Sequence, residues 1–331
     1  MKRWKRSAVG LLPILLFFSC FGNAERDNPL DPQSGQYQNL GHVRGAVYSY
    51  YAPYKPLASV NLTLGPGAYT TATDQSGSFL FPGVSPGDYS LIAALEGYSS
   101  DTVHVAIQSG ETEQVQFNLD GLPELQSIQL TTGVINLWWP TEPSQLVDCQ
   151  VAMSDPDGYA DIQSVQILIP DISFADTLEI TATVGLFQNK FYCPDLLIKS
   201  IHELIGKPIH ILAQDNVGQK QQFGPHQLVR VVDTEPLIVA PQGKVVLGSL
   251  PTFTWSSVSL PYPFAFTIEI FRIIDQGYDT KVMTIGDIPS GNDHYTIQSP
   301  LSNGSYYWTI AIVDEYGNWN RSKPATFDVG A

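Results

Sequence analysis

The chain has 331 residues, with 17 basic and 32 acidic side chains and a formal net charge of −15. A surface this acidic repels phosphate backbones, which argues against nucleic acid as a partner. Twenty-seven Gly, 24 Pro and 16 Tyr, with no long run of helical periodicity, exclude a helix-built protein and favour an all-β chain of short strands and turns.

The basic head Met1–Arg6 precedes an apolar run from Ala8 to Phe18. Together they form the n-region and h-region of a secretory signal. The run is shorter than the roughly 20 apolar residues of a transmembrane helix. Phe17-Phe18-Ser19-Cys20 resembles the lipobox of bacterial lipoproteins. The resemblance implies a leader over 1–19, a lipid on Cys20 and a membrane as partner. An ordinary signal peptide cut near Ala24 is the other reading. Phe21 stands where an Asp would retain many such lipoproteins in the inner membrane, so the expected address is the outer membrane. Residues 20–40 are polar and aperiodic and read as a flexible tether. Within them Asp27-Asn28-Pro29-Leu30-Asp31-Pro32 is similar to the segment after the lipid cysteine in lipoproteins of Bacteroidetes-like bacteria.

A first sandwich is expected over 41–120. Val60, Leu62 and Leu64 share one face of a strand, and Asn61 and Thr63 the other. The runs Tyr89–Ala93, Val103–Ile107 and Val115–Leu119 alternate in the same way, which predicts antiparallel strands with one buried face. Thr73-Asp74-Gln75-Ser76-Gly77-Ser78-Phe79, then Pro86-Gly87-Asp88-Tyr89 and Gly97-Tyr98, resemble the carboxypeptidase regulatory-like domain, a transthyretin-like sandwich. The opening Gly41–Val47 fits the first strand of that family. The resemblance implies an interaction module without catalysis.

A second sandwich is expected over 121–233, after the joint Gly121-Leu122-Pro123. Its strands are predicted at Ile128–Leu130, Val147–Met153, Val165–Ile169, Leu178–Ala182 and Ile209–Ala213. Leu197, Ile201, Leu204 and Ile205 fall on one side of a helix from Asp195 to Ile205, with Asp195 as cap and Gly206 as stop. The overall pattern resembles an Ig-like fold. Cys149 and Cys193 remain once Cys20 is lipidated; they form either a disulfide or two buried free thiols.

A third sandwich is expected over 234–331, after Asp233-Thr234-Glu235-Pro236. An early Trp255, the strand Gly304–Ile312 around Trp308, and the turn Asp314-Glu315-Tyr316-Gly317-Asn318 resemble a fibronectin type III domain. That resemblance makes both tryptophans core residues. Asp215-Asn216-Val217-Gly218 ends the second sandwich with a similar turn. The fold class is therefore all-β, with three sandwiches in tandem.

Catalytic patterns are few. His202-Glu203 starts like a zinc-peptidase helix, but Gly206 stands where the second imidazole is required. No G-x-S-x-G elbow or P-loop occurs. Asp155, Asp157 and Asp161 around Gly158 offer hard oxygen ligands suited to Ca²⁺; an acidic turn between strands accounts for the same residues. Tyr48, Tyr50, Tyr51 and Tyr54 either stack on sugar rings or pack against the tether or a neighbouring domain. The expected protein is a non-enzymatic, lipid-anchored rod for interaction or scaffolding, with a protein or glycan partner; the other reading is a carbohydrate-binding lipoprotein serving nutrient uptake.

Overall fold

The computed structural model describes residues 31, 33, 34, 39–67, 69–274 and 278–330. The leader, Cys20 and most of the tether lie outside the described residues. Strands dominate, at 57% of the described residues against 3% helix, as the period-two patterns require. Among the described residues no helix is long and apolar enough to cross a membrane.

The chain divides into two compact units. The first runs through Val47 and takes in Pro56–Ala93 and Asp101–Phe117. Its strands form two sheets, in which Gly41–Ser49 pairs antiparallel with Ser78–Val84 and runs alongside Thr112–Leu119 in the same direction, with the His42 amide donating to the Glu111 carbonyl at one end and the Asn118 side chain to the Ser49 carbonyl at the other. One orders Ser78–Val84, Gly41–Ser49 and Thr112–Leu119; the other orders Tyr69–Ala72, Asn61–Gly65, Gly87–Ala94 and Asp101–Ile107. The expected inward residues Val60, Leu62, Leu64 and Leu91 are fully buried. Asp74 Oδ1 accepts from the amides of Ser76 (2.8 Å) and Ser78 (3.0 Å), so this carboxylate builds the hairpin turn that its position announces.

The second unit holds Tyr48–Lys55, Ala94–Ser100 and everything from Asn118. Glu124–Ile135, Ser144–Ser154, Leu186–Tyr192 and Glu179–Ile180 form one wall of a sandwich, and Phe174–Thr177, Ile162–Ile169, Ile209–Asp215 and Lys220–His226 the other. Val147, Cys149, Val151, Val165, Ile167 and Ile211 pack between them. A second core follows around Trp255, Phe253, Phe266, Trp308, Ile310 and Phe327. Trp308 is fully buried and Trp255 nearly so, as the fibronectin-like pattern requires.

The sequence divides this unit into separate sandwiches near Asp233. In the structure one sheet of ten strands runs through both. Trp319–Arg321 pairs in parallel with Gly133–Ile135. Gly133 permits the approach, because a Cβ there would lie 2.5 Å from the Trp319 ring.

Two expectations are corrected. The predicted helix Asp195–Ile205 is reduced to a 3-10 turn at Ile201–Leu204. Leu197 sits at φ 56° and is 92% exposed, so the helical path breaks there. Ser200, rather than Asp195, caps the turn, and Glu203 completes a capping box with it. The disulfide alternative also fails, since Cys149 and Cys193 are both free and buried. Their strands pair antiparallel with Cys149 opposite Asn189, while the Cys193 amide donates to the Gln145 carbonyl at 3.0 Å. The thiols therefore stand four residues apart along the ladder, about 13 Å at roughly 3.3 Å per residue, beyond the ~7 Å Cα limit of a bridge. Burial, with the Asp148 charge behind it, pushes the Cys149 thiol up to about 12.

Candidate functional site

Carboxylates collect at one place in the second unit. The segment Asp155-Pro156-Asp157-Gly158 closes as a turn, with the Gly158 amide donating to the Asp155 carbonyl at 2.9 Å. A 3-10 turn over Tyr159–Asp161 follows and leads into Ile162–Ile169. Asp155 Oδ1 accepts from the Asp157 amide at 2.8 Å, an Asx turn that fixes the loop. The Gly121 amide donates to Asp157 Oδ2 at 2.7 Å. Only a glycine permits this, since a Cβ on residue 121 would meet Asp155 Oδ1 at 2.9 Å and the Asp157 nitrogen at 3.1 Å. That contact sets Asp120 beside the turn.

Carboxylate oxygens of Asp120, Asp157 and Asp161 all lie within 4.8 Å of one another. Asp120 is 5% exposed and Asp161 4%. Tyr51 donates its hydroxyl to Asp161 Oδ1 at 2.7 Å. Burial, then the charges of Asp215, Asp161, Asp157 and Asp155, push the Asp120 carboxyl up to about 7. Burial also dominates at Asp155, raised to about 6, against the pull of its bond from the Asp157 amide. Asp157 is raised by burial as well, while the Gly121 amide and the Lys55 charge act the other way. The Tyr51 hydroxyl is held above its ordinary range by burial and then by Asp161.

The aromatic candidates divide. Tyr51, Tyr50 and Tyr54 are exposed and Tyr48 is half-buried, but the Tyr51 hydroxyl is committed to Asp161. Tyr50 meets Tyr51 edge-on, with ring centroids 5.1 Å apart. A second aromatic surface lies at Trp138, 66% exposed, next to Trp139. Trp138 borders a groove of 410 Å³ that Gln242, Tyr307, Arg321 and Thr326 also line. Its indole donates to the Pro324 carbonyl at 2.8 Å, and the Lys323 ammonium stands 5.4 Å from the ring centroid.

Two further sites have catalytic residue types. Ser90 and His104 face each other as cross-strand neighbours, Oγ to Nδ1 3.1 Å, on an exposed sheet face. Among the described residues no carboxylate bonds that imidazole, so the orienting partner of a hydrolytic triad is missing. His202 bonds Asp233 at 2.8 Å, and Glu203 is taken by the capping box; neither is directed at a metal.

Residues 42–120 match the carboxypeptidase regulatory-like domain. The Thr73–Phe79 turn and the Tyr89 strand of the regulatory-like domain are the parts that the sequence motifs mark. No curated protein matches the chain. Among solved structures the chain is similar to the major pilin subunit of Bacillus cereus, at 11% identity and TM-score 0.29 over 88% of this chain and 95% of that one. It is also similar to the FN1–FN3 domains of chicken CNTN1, at 9% identity and TM-score 0.27 over 84% and 93%. The fibronectin(III)-like modules of Clostridium thermocellum CbhA match at 11% and 0.27 over 63% and 93%.

Of the three aspartates that the sequence singles out, Asp157 and Asp161 converge. Asp155 stands behind them as the turn former, with its Oδ2 buried and unpartnered among the described residues. Asp120, the last residue of the regulatory-like domain's match, is the third member and escapes sequence reading because it is an isolated acid between Leu119 and Gly121. Asp215 is legible only as a turn residue, which is half of what it does.

Proposed function

We propose that this chain is a lipid-anchored, non-catalytic interaction protein of the bacterial cell envelope, with the outer membrane as its address. The observation that carries the reading is the groove at Trp138. Its lining joins an exposed indole to Gln242, Tyr307, Arg321 and Thr326, a flat apolar face beside hydrogen-bonding and cationic groups that suits contact with a partner surface. The regulatory-like domain supports a module used for contact. The leader and Cys20 supply the anchor, since several acyl chains at about 0.8 kcal/mol per buried CH₂ hold a protein stably on a bilayer. Fractionation of cells tests it. The wild-type chain is expected in the detergent-extracted membrane fraction, and Cys20→Ser in the soluble fraction, still folded. A Cys20→Ser chain that stays with the membrane contradicts the anchor.

A second reading, carbohydrate binding in the service of nutrient uptake, is favoured by the same groove. A flat exposed indole beside amide, hydroxyl and guanidinium groups suits a sugar ring. This reading adds Trp138 to the tyrosines as a stacking surface. Glycan-array binding is expected to fall roughly tenfold, about 1.4 kcal/mol, in Trp138→Ala. Array binding that this change leaves intact removes the reading.

A further inference from the structure

The turns Asp215–Gly218 and Asp314–Asn318 offer a comparison within one molecule. Each begins with a buried aspartate that caps its own turn. Asp215 Oδ1 accepts from the amides of Gly218 (2.7 Å) and Gln219 (2.8 Å). Asp314 Oδ1 accepts from those of Tyr316 and Asn318, both at 2.9 Å. Their other oxygens differ. Asp314 Oδ2 receives the Asn318 side-chain amide at 3.0 Å and lies 3.5 Å from the Arg230 guanidinium. Asp215 Oδ2 is buried with no hydrogen-bond partner among the described residues, in a fully buried side chain.

The same deficit extends to the neighbouring acids. Both oxygens of Asp120, and Oδ2 of Asp161 and of Asp155, are buried and unpartnered among the described residues. The charge of Asp215 acts on Asp120. Buried carboxylates without a donor or a counter-charge are not a stable arrangement in a protein interior. The Asp314 turn meets that requirement with Arg230. The Asp120 cluster has the distant charge of Lys55 acting on Asp157 and buried oxygens still unmatched.

We propose that Asp120, Asp157 and Asp161 hold a divalent hard cation, Ca²⁺, which does for this cluster what Arg230 does for Asp314. Two ligands of one calcium ion, each about 2.4 Å from it, stand at most about 4.8 Å apart. Oxygens of the three carboxylates all lie within that limit of one another. The donors are all oxygen, which selects Ca²⁺ or Mg²⁺ over zinc or copper. Asp120, with both oxygens free to bind, suits the bidentate, irregular coordination of calcium better than the strict octahedron of magnesium. The ion joins the chain around Asp120 to the Asp155–Asp161 turn. Tyr51 holds Asp161 by Oδ1 and leaves Oδ2 for the metal.

The test uses the purified full chain, stripped with chelator and titrated with calcium chloride by calorimetry and by thermal unfolding. One ion per chain is expected, and a melting midpoint that climbs with calcium up to the roughly millimolar range of extracellular modules. Asp120→Asn and Asp157→Asn are expected to lose the climb. Asp176→Asn, on the exposed strand Phe174–Thr177, is expected to keep it. In chelator, Asp120→Asn is expected to melt at or above the wild-type midpoint, because it removes an unmatched charge. That comparison separates a ligand from a residue needed only for folding. No heat and no midpoint change at several times the millimolar range, or a climb that survives in Asp120→Asn, overturns the proposal; so does a response to magnesium chloride equal to that with calcium.

Discussion

Trp308→Ala lowers the stability of the second unit by about 3–5 kcal/mol, the cost of deleting a large buried aromatic. In a body of this size that is a fall in melting midpoint on the order of 10 °C. Trp308 is fully buried and packs on Phe253 with ring centroids 4.6 Å apart. Phe253 in turn meets Phe327 edge-on at 5.6 Å, so one deletion loosens two further rings. The indole also donates to the Pro241 carbonyl at 2.8 Å, an acceptor that Ala leaves unmatched. The paired control is Trp139→Ala. That indole is 83% exposed, and its loss should stay within about 0.5 kcal/mol. Guanidinium unfolding followed by fluorescence measures both; equal midpoints for the two variants would place Trp308 outside the core.

Asn318→Ala tests the continuity of the ten-stranded sheet. Asn318 Oδ1 accepts the Thr132 amide at 2.8 Å and its hydroxyl at 3.2 Å, while Asn318 Nδ2 donates to Asp314 Oδ2. Next to it, Asn320 Oδ1 accepts from Asn136 at 2.7 Å, and Asn320 Nδ2 donates to the Val232 carbonyl at 2.8 Å. These side chains pin Gly133–Ile135 to Trp319–Arg321 from both sides. Ala at 318 orphans a buried backbone amide and removes a donor from a buried carboxylate. The expected loss is roughly 1–3 kcal/mol for the amide alone. Differential scanning calorimetry should show the unfolding of residues 118–331 broadening toward two transitions, as each core melts with less support from the other. An Asn318→Ala chain with the wild-type profile would mean that the shared sheet contributes nothing to their coupling.

The parts of this fold that sequence reveals are those set by neighbours along the chain. Alternation at Val60, Leu62 and Leu64 names its own buried face. The paired tryptophans are legible for the same reason, since each sits on an alternating strand. The join at Gly133 and Trp319 is not. It pairs segments nearly 190 residues apart, and its fixatives are Asn318 and Asn320, polar residues that read as turn formers until burial gives them another use. The helix over Asp195–Ile205 fails for a related reason. Leu197, Ile201 and Leu204 have helical spacing, but Leu196 is the buried neighbour while Leu197 points to solvent. The aspartates were half legible. Asp155, Asp157 and Asp161 share one turn and advertise it. Asp120 and Asp215 come from other strands' ends, so only the folded chain brings their charges to the same place.

The cation is the centre of this account, and diffraction tests it most directly. Crystals grown in millimolar calcium chloride, measured where calcium scatters anomalously, should show one anomalous peak about 2.3–2.6 Å from carboxylate oxygens of Asp120, Asp157 and Asp161. Density around those three carboxylates with no anomalous peak, or a peak confined to other acidic residues, would contradict it.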